Sequence, residues 1–134
     1  MAARHLITGK AGEDLAAAFL TEKGMRVMER NFRCTSGEID LVCAEGESLV
    51  FVEVKTRSGD VRGEPGEAIG PAKKKRLVRA AALYLSRNRA WSRPCRFDLV
   101  SILFLHGETV VEHWEDIINV RDALDRGHAP WQPW

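Results

Sequence analysis

Features that identify membrane, secreted and disulfide-rich proteins are missing from this sequence. Its apolar runs stay well short of the roughly 20 residues that a bilayer-spanning helix needs, and its first residues lack the apolar stretch of a signal peptide. The cysteines number three and show no CxxC spacing, which argues against a disulfide framework and against a zinc site. We therefore expect a cytoplasmic protein with free thiols and no membrane contact.

Internal repeats and low-complexity segments are also absent from the sequence. With 134 residues, of which 45% are hydrophobic and 29% charged, the chain has the size and composition of one compact domain. Two prolines, Pro130 and Pro133, lie close to its end. We predict a single domain over residues 1–125 and an irregular tail over residues 126–134.

The net charge of +1 indicates no class of partner, but the charges are unevenly distributed. Residues 68–97 contain nine basic side chains and no acidic one, whereas the remainder holds eleven basic and nineteen acidic residues, a balance of −8. Such segregation indicates a surface that can face a polyanion, such as nucleic acid. The nine basic residues are Lys73, Lys74, Lys75, Arg76, Arg79, Arg87, Arg89, Arg93 and Arg96.

The spacing of apolar residues predicts two helices and five strands. Apolar side chains recur at helical spacing in the first helix, and Pro71 suits the first position of the second. Residues 57–70, with four glycines and one proline, are expected to form a loop. In the order α-β-β-β-α-β-β, the predicted elements are a helix over 11–23, strands over 25–33, 38–44 and 48–56, a helix over 71–88, and strands over 95–104 and 109–113. This is an α/β fold in which a short mixed sheet has a helix on each side.

Three polar residues stand on two adjacent strands that are otherwise largely apolar. Glu53 and Lys55 are two residues apart and therefore share a face of their strand, although the apolar run around them predicts a strand that is covered on both faces. Asp40 lies thirteen residues before Glu53, across the predicted hairpin. A connection with an even number of residues puts the two carboxylates on one face, and a four-residue loop over 45–48 puts them directly opposite each other.

Two opposed carboxylates repel each other, and burial raises the free energy of keeping both ionised. A hard divalent cation relieves this repulsion, because Mg²⁺ keeps several waters and takes only one or two protein carboxylates. One such water can attack a phosphate while Lys55 holds it and adds positive charge. Glu13, at the edge of the buried face of the first helix, can assist through water or a second ion. The alternatives are a solvated sheet face for Glu53 and Lys55, and a first-turn acid that favours the helix dipole for Glu13.

Asp40 with Glu53-Val54-Lys55 resembles the PD-(D/E)xK nuclease signature, although Ile39 stands where that signature has proline. More narrowly, the chain resembles the YraN family of bacterial proteins, which is similar to the archaeal Holliday-junction resolvases. The matching residues span about positions 9–103 and include the basic start of the second helix. They are Gly12-Glu-Asp-Leu-Ala16, Gly37-Glu-Ile-Asp-Leu-Val42, Val50-Phe-Val-Glu-Val-Lys-Thr-Arg57 and Arg96-Phe-Asp-Leu-Val100.

The resemblance implies a restriction-endonuclease-like core and a metal-dependent endonuclease that hydrolyses phosphodiester bonds in DNA, including branched or distorted DNA. It implies that Asp40, Glu53 and the backbone carbonyl of Val54 bind Mg²⁺, for which Mn²⁺ can substitute. It also implies that Lys55 is catalytic and that Glu13 completes the acidic cluster. A branched substrate with near two-fold symmetry would suit a homodimer.

The polar face of the second helix predicts contact with nucleic acid, since it carries several cations and no acid. A solvated face is the alternative. Arg57 follows Lys55 closely and is expected to hold a phosphate at the site entrance. The helix residues assigned to nucleic acid are Lys73, Lys75, Arg76 and Arg79.

The remaining polar candidates are assigned to structural roles. Glu38 is expected to pair with a nearby arginine, the alternative being a metal ligand that acts through water. Asp98 is expected to form a salt bridge within an apolar strand, the alternative being a catalytic role. The histidines show no spacing typical of metal ligands. Two rival functions stay open: an adaptor that binds nucleic acid without cutting it, and a protein-interaction module that uses the tryptophan-containing tail.

Overall fold

The computed structural model describes residues 9–58 and 69–120, apart from the side chain of Ser58. In these ranges the predicted order of elements is confirmed, and the ends of each element lie within two residues of the prediction. Part of the predicted loop, at 59–68, and the predicted tail lie outside the described residues. The elements are α1 (Lys10–Glu22), β1 (Arg26–Cys34), β2 (Gly37–Glu45), β3 (Ser48–Ser58), α2 (Pro71–Arg87), β4 (Cys95–Leu105) and β5 (Glu108–Trp114).

The strands form one sheet in the order β1-β2-β3-β4-β5. Neighbouring strands are antiparallel except β3 and β4, which run parallel. A parallel pair needs a long crossover connection, and α2 lies within that connection. This topology brings the start of α2 back towards the end of β3, which carries Glu53 and Lys55.

Each face of the sheet is covered by one helix, as the sequence predicted. Val50 and Val52 of β3 pack in a cluster with α1, whereas Leu49 and Phe51 pack in a cluster with α2. Because successive side chains on a strand point to opposite faces, an almost continuous apolar run is what a central strand between two helices requires. Glu53 and Lys55 continue the alternation on the α2 face.

Gly12 allows α1 to approach the end of β3 closely. A Cβ atom at this position would collide with the hydroxyl of Thr56, so only glycine fits without rearrangement of that side chain. The close approach holds the first turn of α1, and with it Glu13, near the carboxyl half of β3.

Neither described helix is long and apolar enough to cross a membrane.

All three cysteines are free, as expected; Cys43 is buried, whereas Cys34 and Cys95 are half-buried.

Candidate active site

Strands β2 and β3 separate at the position of Asp40 and Glu53. The predicted register is confirmed as far as the last pair of the ladder, Leu41 with Val52, and one further step along both strands reaches Asp40 and Glu53. There the backbone N–H of Val54 donates a 2.8 Å hydrogen bond to Oδ2 of Asp40. The carboxylate of Asp40 therefore lies between the ends of the two strands, beside the segment that carries Glu53.

A break in the side-chain alternation of β2 allows Asp40 to occupy this place. Ile39 and Val42 are three residues apart, yet both pack in the cluster under α2, although residues at that spacing on a regular strand point to opposite faces. The irregularity lies between them, at Asp40 and Leu41. Asp40 is thus directed into the gap between the strands and can sense charges on both sides of the sheet.

Glu53 is buried with two ammonium groups beside it. Its side chain is 4% exposed, and its Oε2 lies 2.6 Å from Nζ of Lys73 and 3.9 Å from Nζ of Lys55. Lys55 is thus placed beside Glu53 on the same strand, as predicted. Lys73 was assigned to nucleic acid from the sequence, and its contact with Glu53 is a feature that the sequence did not reveal.

The surroundings of Asp40 oppose ionisation of both carboxylates at once. Burial, followed by the negative charge of Glu53, raises the pKa of Asp40 from 3.8 to about 7, and the charge of Glu13 acts in the same direction. The hydrogen bond from Val54 acts in the opposite direction, because it favours the carboxylate form. Binding of a cation in the gap between β2 and β3 is therefore favourable, because it relieves this repulsion.

Glu13 faces this site from α1 but is held by β1. Its Oε1 accepts a 2.9 Å hydrogen bond from Nδ2 of Asn31 and lies 3.8 Å from the guanidinium of Arg30. Within the described residues, no group of three acidic, histidine or cysteine side chains comes together closely enough to hold a metal ion. Asp40 and Glu53 form the central pair, and the assignment of Glu13 to metal binding stays a prediction.

Asn31 is a residue at the site that the sequence analysis missed. It adopts a left-handed backbone conformation, with φ of 54°, in the middle of β1. Asparagine tolerates this conformation better than most residues, and here it turns the side chain towards Glu13. The signal in the sequence was an asparagine, a residue typical of turns, inside a stretch otherwise predicted as strand.

The other basic residues assigned to nucleic acid lie on β3 and on α2. Arg57 is half-buried and lies on the same face of β3 as Glu53 and Lys55. Exposed positions on α2 hold Lys75, Arg76 and Arg79. A groove of about 350 Å³ runs beside α2. Its lining includes Arg33, Gly37, Glu38, Lys73 and Arg76.

Three of the other basic residues between 68 and 97 have partners within the protein. Arg87 lies over the ring of Phe32 at 5.6 Å, Arg93 donates a hydrogen bond to the carbonyl of Glu47, and Arg96 binds Asp98. The uneven charge of the sequence therefore overstated the basic surface, because part of it serves packing and internal ion pairs.

The two structural assignments are confirmed. Arg33 Nε contacts Glu38 Oε2 at 3.0 Å. Asp98, 1% exposed, receives hydrogen bonds from Arg96 Nε at 3.0 Å and from the backbone N–H of Asp116 at 2.9 Å, and it lies 2.8 Å from Nε2 of His113. It is buried on the α1 face of the sheet and serves to join β4 to β5 and the segment that follows.

Comparison with known proteins finds relatives along nearly the whole chain. A model of a family described as "Uncharacterised protein family UPF0102" matches residues 12–102. A UPF0102 protein of Nitratidesulfovibrio vulgaris is 42% identical over 132 residues, covering 98% of each chain. Similar proteins of the same description occur in Lawsonia intracellularis, with 39% identity over 94% of this chain and 96% of the relative, and in Rhodococcus opacus, with 48% identity over 91% and 99%.

Proposed function

The chain belongs to the uncharacterised protein family UPF0102, the YraN family, and we propose that it is a magnesium-dependent endonuclease that hydrolyses phosphodiester bonds in DNA. The observation that carries the proposal is the meeting of Asp40 and Glu53 where β2 and β3 separate, with Lys55 beside them. Their repulsion is expressed in the pKa of Asp40, which burial and the charge of Glu53 raise to about 7. A carboxyl group whose pKa is perturbed by burial and by a neighbouring charge is typical of functional sites.

The residues present fit a magnesium ion. Carboxylate and carbonyl oxygens are the hard ligands that Mg²⁺ prefers, and one or two carboxylates are enough because the ion keeps several waters. Asp40, Glu53 and the backbone carbonyl of Val54 would hold it, and Mn²⁺, which accepts the same ligand types, would substitute. When bound, the ion would supply an activated water and stabilise negative charge on the phosphate.

The chain's own cations would place the substrate. Lys55 lies on the same face of β3 as Glu53, where its ammonium can hold the attacking water by a hydrogen bond and offset charge that develops on the phosphate. Arg57 follows on that face and would bind a neighbouring phosphate. The exposed residues Lys75, Arg76 and Arg79 would contact the sugar–phosphate backbone further away, without reading the bases.

Cleavage assays test the proposal directly. Supercoiled plasmid, single strands and a synthetic four-way junction are incubated in Mg²⁺ with the wild type, Lys55→Ala, Asp40→Asn and, as a matched control, Lys74→Ala. The wild type and the control should cut, and the two site variants should lose at least about a hundredfold in rate, since each removes a group acting on the reacting atoms. Equal cleavage by all four proteins would point to a contaminant.

The pattern of cleavage of the four-way junction also tests which class of DNA is the substrate and whether the active form is a homodimer. Preferred cleavage of the junction at two symmetric positions would support branched DNA as the substrate and a homodimer as the active form, because a two-fold substrate matches two symmetric sites. Uniform cutting of the plasmid and the junction would instead favour action on ordinary duplex DNA.

The ion pair between Lys73 and Glu53 favours a second candidate, an adaptor that binds nucleic acid without cutting it. A carboxylate already neutralised by an internal lysine needs no metal. The adaptor requires that binding to DNA survives Glu53→Gln and fails when Arg76 and Arg79 are neutralised, with no cleavage by the wild type in Mg²⁺ or Mn²⁺.

A further inference from the structure

Lys73, rather than Lys55, is the principal counter-ion of Glu53. Its Nζ lies 2.6 Å from Glu53 Oε2, against 3.9 Å for Nζ of Lys55. A carboxylate that is 4% exposed needs such a partner, because an unpaired buried charge is strongly unfavourable. The chain therefore brings its own cation to the place where the proposed function requires a metal.

A metal ion and Lys73 compete for the same carboxylate. Both are positive, and at the separations imposed by a shared oxygen they repel each other strongly where water is largely excluded. Binding of a divalent cation to Glu53 is therefore favoured when the ammonium of Lys73 moves away from Oε2. Its side chain is 36% exposed and is joined to the helix by a flexible stem, so it has room to do so.

A groove lies next to the ammonium group of Lys73. The same side chain lines the groove of about 350 Å³ that runs between α2 and the turn joining β1 to β2. Arg33 and Arg76 also line this groove, and its one acidic lining residue, Glu38, is already paired with Arg33. The groove therefore carries a net positive charge and suits a phosphate group.

The turn forms a close wall of this groove. Gly37 has φ of 153°, and a Cβ atom there would lie 3.2 Å from Cβ of Arg76. The backbone of the turn thus packs directly against α2, which fixes the width of the groove at this point. A phosphate that enters the groove would meet Arg76 and Lys73 on the side formed by α2.

We propose that Lys73 is a substrate-operated gate, which neutralises Glu53 in the metal-free protein and moves to a phosphate of a nucleic-acid strand in the groove, so that Glu53 becomes free for the divalent cation. The gate rests on the proposed function. It couples two ligands through one side chain, so each ligand must raise the affinity for the other by the same factor. Without nucleic acid, the site binds the metal ion more weakly.

Calorimetric titration with Mg²⁺ tests the gate without any measurement of cleavage. The proteins are the wild type, Lys73→Met, Lys73→Arg and Lys74→Met, which removes the same charge one residue further along the helix. Lys73→Met should bind Mg²⁺ about tenfold tighter than the wild type and Lys74→Met, a factor within the usual range of coupling between sites. Lys73→Arg keeps a cation beside Glu53 and should resemble the wild type.

The titration is repeated with a phosphorothioate duplex, whose backbone keeps its charge and resists hydrolysis. The duplex should tighten Mg²⁺ binding by the wild type and by Lys74→Met but not by Lys73→Met, which has no gate to open. Thermal unfolding of each protein shows that the variants are folded. Equal Mg²⁺ affinity of Lys73→Met and Lys74→Met would overturn the gate.

Two further variants separate failure of the gate from failure of the proposed function. If Asp40→Asn and Glu53→Gln abolish Mg²⁺ binding while the Lys73 variants behave like the wild type, the metal site stands and the gate is wrong. If neither the wild type nor Lys73→Met binds Mg²⁺, or if binding survives Asp40→Asn and Glu53→Gln, the proposed metal site and the gate are both wrong.

Discussion

The backbone N–H of Val54 donates a hydrogen bond of 2.8 Å to the carboxylate of Asp40. This contact joins β2 to β3 just beyond the last pair of their ladder, and it keeps the carboxylate next to Glu53 instead of letting it turn towards water. The position of Asp40 therefore depends on the backbone of β3. The same backbone presents Glu53 and Lys55, so the three groups are placed as one unit.

Asp40→Asn should stabilise the metal-free protein, and more so at alkaline pH. The pKa of Asp40 is raised from 3.8 to about 7, so between these values the folded protein holds a proton that the unfolded chain has released, and the free energy of unfolding falls as the pH rises. A pKa difference of one is worth about 1.4 kcal/mol, and about two units separate pH 5 from the pKa of folded Asp40, so we expect the variant to gain about 3 kcal/mol more at pH 8 than at pH 5. Urea unfolding in EDTA measures this. The control is Glu22→Gln, which changes an exposed carboxylate on α1. Its effect on the free energy of unfolding should be the same at both pH values.

Asn31 should tolerate glycine better than valine. At φ of 54°, a β-branched residue is strained whereas glycine is not, so Asn31→Val should be less stable than Asn31→Gly by about 1 kcal/mol or more. Both variants lose the hydrogen bond to Glu13. Denaturant unfolding of the two variants and the wild type measures the difference, and equal stability of the valine and glycine variants would contradict a left-handed backbone at this position.

Loss of Asp98 should destabilise the fold without abolishing the chemistry of the site. Its buried carboxylate binds Arg96, His113 and the backbone of Asp116, and removing one member of such a network costs about 3–5 kcal/mol. Asp98→Ala should therefore unfold at much lower urea concentration while retaining Mg²⁺ binding per folded molecule. Asp14→Ala is the control, because Asp14 forms an exposed ion pair with Arg30 and should have only a slight effect.

Neutralising Arg76 and Arg79 should weaken binding to DNA in a salt-dependent manner. Each phosphate contact that is lost reduces the magnitude of the slope of log affinity against log salt by about one. The slope for the double variant should therefore be smaller in magnitude by about two. Fluorescence anisotropy at several salt concentrations measures the slope. Arg26→Ala removes an exposed cation from β1 and should leave the slope unchanged, and a similar loss for both variants would indicate bulk charge in place of a specific surface.

Much of the fold could be predicted because its signals are local. The apolar stretch of β3 showed a strand that is covered on both faces, and an even-numbered connection between β2 and β3 was enough to place Asp40 opposite Glu53. Register and periodicity depend only on neighbours in the chain. The predicted pairing was therefore correct up to Leu41 and Val52, where the strands separate.

The contacts that the sequence did not reveal depend on tertiary placement. Lys73 reaches Glu53 only because the crossover sets the first turn of α2 against the end of β3, and no spacing along the chain encodes that. The left-handed conformation of Asn31 is likewise a single irregular position, which period-two reasoning treats as ordinary strand. The pairing of His113 with Asp98 joins two strands through their register, which was not assigned beforehand.

The parallel pairing of β3 with β4 also governs the order in which the active centre assembles during folding. The hairpin of β2 and β3 closes over a few residues, whereas α2 and β4 can dock only after the chain between Ser58 and Cys95 has looped back. Short-range contacts form first, because long loops lose more entropy on closure. The two carboxylates thus meet before the lysine of α2 arrives, and we expect refolding to be accelerated by added salt, which screens their early repulsion.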